Sequence, residues 1–177
     1  MTHKPNTPTS VENHSDELAQ HVEPSELKPL QTLTPEAVVF RLVKLANLMS
    51  RPFFAQFAKR HALSINEWRC IVVLAARPGS AAQDISVTAG LHPMNISRAL
   101  IGLRKTGMVE EARDPENHRR VLLWLTTAGN KTFKEIAPHS EHHAGLLLDT
   151  LSREEVKTLG EIIDKLIARA EEITEEV

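Results

Sequence analysis

This 177-residue sequence predicts a mainly α-helical fold carrying one small β-hairpin. Three observations carry the expectation. Apolar residues recur at steps of three and four over residues 38–49, 96–103 and 156–170, the spacing that lays one face of a helix against a core. Two short apolar-rich stretches, Met108 to Arg113 and Arg120 to Leu125, flank the turn-forming run Asp114-Pro-Glu-Asn-His118. Turn-forming prolines and glycines punctuate the chain at Pro78-Gly79, Gly90 and Gly107. The length suits one domain with extensions.

The first 33 residues hold Pro5, Pro8, Pro24 and Pro29 among Ser, Thr, His and Glu, a composition with few apolar anchors. They read as a flexible N-terminal arm, with a short helix near Asp16 to Val22. Thr34-Pro-Glu36 is a helix start: threonine caps, proline takes the first helical position and an acid sits in the first turn. Val38, Leu42, Leu45 and Met49 mark one face of that helix, which Pro52 is expected to break or kink before Phe53, Phe54 and Phe57. Residues 34–62 thus read as an N-terminal dimerisation and pocket helix.

Residues 63–126 form the central unit. A helix is expected from about Ile65 to Ala76, ended by Pro78-Gly79. Two more follow near residues 80–88 and 93–106, joined by a turn containing Gly90. Ile96, Leu100 and Leu103 turn one face of the second inward, and Gly107 stands where a left-handed helix end is wanted. The hairpin comes next. From residue 127 to 177 the chain reads as C-terminal dimerisation helices, 127–150 with a kink at Pro138 and 152 to about 172. Ser152-Arg-Glu-Glu155 matches a capping box. Val156, Leu159, Ile163 and Leu166 form a seam suited to another helix, widened by Ile162 and Ile167.

A helix, a turn, a second helix with polar residues at its front and an arginine-tipped hairpin together make a winged helix-turn-helix. Such a recognition helix lays its first turns in the DNA major groove, where short polar side chains reach base edges and arginine pairs with guanine. Asn95, Ser97 and Arg98 supply those chemistries, or else cap the helix or meet phosphate. Arg104 and Lys105 are placed for phosphate. At the hairpin tip His118, Arg119 and Arg120 suit the minor groove, although Arg120 could instead pair with Glu110 or Glu111 across the hairpin. Charge agrees: residues 34–120 carry 13 basic and 7 acidic groups, while residues 1–33 are net −3 and residues 151–177 net −4.

From Leu63 to Leu166 the residues resemble the MarR family of bacterial winged helix-turn-helix regulators. The likeness rests on Lys105-Thr-Gly-Met-Val109, the wing Asp114-Pro-Glu-Asn-His-Arg119 and Leu125-Thr-Thr-Ala-Gly129. The resemblance implies a homodimer with interlocking terminal helices, bound to a pseudo-palindromic double-stranded operator. It also implies a repressor released by a small aromatic carboxylate or phenolic effector. Two positions depart from the pattern. Asn117 replaces the aspartate that pairs with the wing arginine, losing charge assistance. Glu111 stands where arginine is common, and Arg113, on the same strand face, is the available substitute.

By that analogy, Arg51, Phe53, Phe57, His61, Trp68 and Arg69 are the candidate effector-binding residues, the alternative being that the aromatics are core and the cations exposed. Cys70, the single cysteine, cannot form an internal disulfide; a redox-sensing role would need exposure and a lowered pKa. His139, His142 and His143 with Glu141 share helical spacing but lack a second set of ligands, so no metal site is expected.

No run of about 18 apolar residues exists to span a bilayer and Met1 to Leu30 lacks a secretory pattern, so a cytoplasmic protein with no membrane partner is expected. Neither a phosphate-cradling glycine loop nor a nucleophile elbow is present, and nothing calls for a cofactor or an enzyme. The reading is a dimeric, ligand-responsive transcriptional repressor. A constitutive DNA-binding protein and a cysteine redox sensor are the alternatives.

Overall fold

The computed structural model describes residues 33–53 and 59–175. In chain order these form α1 (Pro35–Phe53), α2 (Lys59–His61), α3 (Ile65–Ala76), β1 (Ser80–Ala81), α4 (Ala82–Ala89), α5 (Pro93–Lys105), β2 (Val109–Arg113), β3 (Val121–Leu125), α6 (Thr127–Leu148) and α7 (Arg153–Glu175). The predicted arm and its short helix lie outside the described residues, as do Phe54 and Phe57. The chain divides into two units, residues 1–46 and 47–177, with α1 running across the division.

In the first unit the front of α1 begins as expected: Thr34 Oγ1 accepts the Ala37 N–H at 3.3 Å. Val39, Phe40 and Val43 are more than half or half exposed, and Val38, Leu42 and Leu45 are exposed too. The helix continues through Pro52 to Phe53 without the expected break.

The core of the second unit gathers around α3, which packs on α4, α5, α6 and β3. Ile71 and Leu74 from α3, Ile85 from α4, Ile96, Leu100 and Leu103 from α5, Leu123 from β3 and Ile136 from α6 are almost wholly buried. Burying such side chains is worth about 1.5–3 kcal/mol each, which makes this cluster the main stabilising feature. A capping box opens α3: the Glu67 N–H donates to Ser64 Oγ at 3.2 Å and the Ser64 N–H to Glu67 Oε2 at 2.6 Å. The expected box at Ser152 and Glu155 forms in the same way before α7.

The sheet has three antiparallel strands in the order β1-β3-β2, with Ser80 opposite Leu123 and Glu111 also opposite Leu123 from the other side. The hairpin agrees with expectation. β1 does not: residues 80 and 81 were expected to open the first helix of the pair, but they add a two-residue strand to β3, and α4 starts at Ala82. Pro138 lies within an unbroken α6.

Two glycines turn the chain where no other residue would do so without strain. Gly90 closes α4 at φ 61° and Gly107 follows α5 at φ 68°. Beyond Gly107 the hairpin, α5 and α6 meet at one junction. Thr126 Oγ1 donates to the Gly107 carbonyl at 2.7 Å and accepts the Gly129 N–H at 3.2 Å, while the Thr126 N–H donates to the Met108 carbonyl at 3.1 Å. One threonine therefore caps α6 and ties it to the end of α5.

Gly129 completes this junction through what it lacks. A Cβ there would stand 2.2 Å from the Met108 carbonyl oxygen and 3.2 Å from Leu125 Cδ2. Alanine would gain about 1 kcal/mol of helix propensity, but overpacking against backbone costs about 1–3 kcal/mol or more because neither segment can move independently. Gly129→Ala is expected to lower unfolding stability by about 1–2 kcal/mol net in urea titration. A neutral or stabilising substitution would show that the junction yields.

Candidate nucleic-acid interface

α5 begins at Pro93, and its cap is His92, whose Nδ1 accepts the Met94 N–H at 3.2 Å. Capping is therefore not the work of Asn95 or Ser97. Among the described residues neither of those side chains is hydrogen-bonded, and Ser97 and Arg98 are exposed while Asn95 is half-buried. The inward face is taken by Ile96, Ala99, Leu100 and Leu103. With 3.6 residues per turn this leaves Met94, Ser97, Arg98, Ile101 and Lys105 on the outward side.

The wing turn is held by its own backbone and two short polar side chains. Asn117 Oδ1 accepts the Arg119 N–H at 3.2 Å, Asp114 Oδ1 accepts the Glu116 N–H at 2.9 Å, and the Arg120 N–H donates to the Asn117 carbonyl at 2.7 Å. Asn117 thus shapes the turn through the backbone at Arg119 rather than by a charged contact with its guanidinium. His118 and Arg119 are exposed at the tip.

Two arginines among the predicted DNA contacts are engaged inside the protein. Arg104 donates through Nε to Glu111 Oε2 at 2.6 Å and through its Nη2 at 2.5 Å, a two-pronged pair joining α5 to β2. Arg120 pairs with the Asp84 carboxylate of α4. Its partner is thus neither Glu110 nor Glu111, the cross-hairpin acids expected from sequence. Both pairs are roughly half exposed, so each contributes about 1 kcal/mol or less to stability, and their chief effect is on position. The wing is pinned on one side to α5 and on the other to α4. Among the described residues Arg98, Lys105, Arg113 and Arg119 have no acidic partner.

Asp84 does two things at once. Its carboxylate accepts the Ala81 N–H at 2.8 Å, the half of a capping box that the third helical residue supplies, and it meets Arg120. The Ala81 N–H first, and then the Arg120 guanidinium, hold the Asp84 carboxyl below the ordinary carboxylate range.

The candidate effector residues are scattered through different environments. Arg51 and Arg69 are exposed. Phe53 ends α1, and Phe57 lies outside the described residues. His61 is largely covered, with Nε2 3.9 Å from Glu135. Trp68 is buried and stacks on Phe133 of α6, ring centroids 5.9 Å apart. Phe133, 65 residues away in sequence, was not anticipated, since nothing local marks it as the partner of Trp68. An open surface groove lined by Arg77, Ser80, Asp84 and Thr88 includes none of these candidates.

Cys70 is wholly buried, and burial, with Glu67 adding to it, pushes its thiol up to about 11. A thiol so protonated and covered is a poor nucleophile, which argues against the redox-sensing alternative. Among the described residues no group of three or more His, Cys, Asp or Glu converges as a metal site, and no helix is long and apolar enough to cross a membrane.

Because the folded-state pKa of Asp84 is depressed, its charge adds stability that is present above the ordinary value of 3.8 and lost as pH falls through the folded value. Asp84→Ala is expected to cost about 1 kcal/mol at pH 7. The gap between the two proteins should narrow below pH 3.8; a gap unchanged down to pH 2 would mean that the carboxylate charge contributes nothing.

No family model matches the chain. It is 28% identical over 100 residues to the HTH-type transcriptional regulator FarR of Neisseria gonorrhoeae, covering 56% of this chain and 68% of that one. It is 21% identical over 116 residues to the homoprotocatechuate degradative operon repressor of Escherichia coli, covering 66% and 78%. Among solved structures, a MarR/EmrR family transcriptional regulator from Acinetobacter superposes with a TM-score of 0.71 at 21% identity, covering 77% of this chain and 96% of that one. NadR in complex with 4-hydroxyphenylacetate superposes with a TM-score of 0.68 at 23% identity, covering 79% and 98%. The exposed front of α5, the pinned wing and the core around α3 are thus the winged helix-turn-helix fold of the MarR-family transcriptional regulators.

Proposed function

We propose that this chain is a dimeric transcriptional repressor that binds a pseudo-palindromic operator and leaves it when a small aromatic acid or phenol binds. The observation that carries the DNA reading is the outward side of α5. It presents Ser97 and Arg98, with Asn95 beside them, and the wing carries His118 and Arg119 at its tip. The helix dimensions suit the major groove, and the wing arginine suits the adjacent minor groove. Arg104 and Arg120 contribute mainly by fixing the wing's attitude, and Lys105 serves as a phosphate contact.

Dimerisation is supported by apolar surface that a lone chain leaves wet. On α7, Ile162, Ile163, Leu166, Ile167 and Ile173 are each 40–50% exposed, and Val156 and Leu159 are half-buried. On α1, Val39, Phe40 and Met49 are half exposed or more. Contiguous apolar faces of this kind mark interaction sites, and a repeated operator half-site requires two reading heads. Ile163→Glu with Leu166→Glu should convert a dimer in sedimentation into a monomer with intact helical content. Persistence of the dimer would place the interface elsewhere.

The effector class comes from the names of similar proteins, a homoprotocatechuate operon repressor and NadR with bound 4-hydroxyphenylacetate. Arg51, His61 and Arg69 are the cations proposed to meet a carboxylate, and the two phenylacetates are the probes. In electrophoretic mobility assays with an operator selected from random duplexes, one of these acids should release the DNA at millimolar concentration or below. Arg98→Ala should weaken the free protein's operator binding about tenfold or more. Tight operator binding that neither acid disturbs would favour a constitutive DNA-binding protein.

A further inference from the structure

The outward stripe of α5 runs Met94, Arg98, Ile101, Lys105, at steps of four, three and four. Two of its four members are large and apolar, and they are well exposed, Met94 at 55% and Ile101 at 60%. Single exposed apolar side chains need no explanation. These two, however, flank a cation on a helix whose apolar packing duty is already met by Ile96, Ala99, Leu100 and Leu103.

The occupant of such a stripe must be anionic overall, because Arg98 and Lys105 share it and Arg113 and Arg119 project from the adjoining wing. It must also offer isolated apolar points between polar ones. The major groove of duplex DNA does both: phosphates line its walls, and the 5-methyl group of thymine is the apolar feature among the donors and acceptors of its floor.

Resting on the proposal that α5 enters the major groove, we infer that Met94 and Ile101 are specificity-determining contacts to thymine methyl groups of the operator. The two side chains are seven residues apart, about 10.5 Å along the helix. That is about three base-pair steps of 3.4 Å, so the thymines they read lie within about three base pairs of each other. Arg98, between them on the stripe, reaches the intervening step. Asn95 and Ser97 then discriminate by hydrogen bonding, and Met94 and Ile101 by burying methyl groups. Met94 is unbranched and adapts its shape to the groove, whereas Ile101 is stiff and more demanding of position.

The test uses the full chain and an operator selected from random duplexes. Each thymine is replaced in turn by deoxyuridine, which keeps the base pair and removes only the methyl group. Losing one buried methyl is expected to weaken binding about fourfold, at one or two positions per half-site lying within about three base pairs. In Met94→Ala the penalty at one position should vanish, and in Ile101→Ala the penalty at the other, while penalties elsewhere persist. Both side chains are exposed, so the variants should keep the circular dichroism and melting behaviour of the parent. The inference is overturned if the selected site holds no thymine, if deoxyuridine weakens binding nowhere, or if both variants retain every penalty. Failure to select any operator would instead remove the DNA reading of α5, which separates the two outcomes.

Discussion

The winged helix-turn-helix unit depends on one junction, where Thr126 and Gly129 meet the end of α5. A recognition helix is useful only if its attitude is fixed relative to the wing and to the helix that leads away from it. Here one hydroxyl donates to the Gly107 carbonyl and accepts the Gly129 N–H, so the last residues of α5, the base of the hairpin and the first turn of α6 share a single hydrogen-bonded atom. The Met108 carbonyl takes the Thr126 N–H and occupies the space that a Cβ on Gly129 would need. Two backbone segments thus approach more closely than any side chain at 129 permits. Leu125, just before the threonine, adds its side chain to the core. The Leu-Thr-x-x-Gly pattern is the covalent record of that approach.

Charge is distributed with a division of labour that composition alone would hide. Of the cations around the head, Arg104 and Arg120 face carboxylates from other elements and set the wing between α4 and α5. Glu111, which stands where the family pattern favours arginine, is not a gap in a basic surface; it is the anchor for Arg104. Asp84 likewise combines a helix cap with a wing contact, so the start of α4 and the root of β3 respond to one carboxylate. The remaining arginines at 98, 113 and 119 are left to act outward. The two ion pairs thus fix the backbone that carries the outward cations, while the side chains of those cations stay exposed.

The same core that orients the head uses residues that had looked like sensor chemistry. Trp68 stacks its indole on Phe133, and Cys70 faces the core from α3 with its thiol held protonated. Both therefore link α3 to its surroundings as packing groups. Through these side chains α3 is coupled to α4, α5 and β3, which it contacts directly. The apolar faces of α1 and α7 remain exposed.

Local order was legible from residue spacing. The helices at 65–76 and 93–105, the hairpin, the left-handed Gly107 and the Ser152 capping box all follow from interactions spanning three or four residues or a single turn, and such interactions are written in the sequence directly. The outward placement of Ser97 and Arg98 follows from the same periodicity. Tertiary structure decided whatever depends on distant partners. β1 is two residues long and exists because β3, about 40 residues on, offers it an edge. Arg120 meets Asp84 across 36 residues instead of a glutamate on the facing strand, and Trp68 finds Phe133 on another helix. Pro52 was expected to break or kink its helix, yet the helix carries on through it to Phe53. A chain pattern ranks what each segment prefers in isolation, whereas packing selects among those preferences by the surface it buries and the charges it brings together.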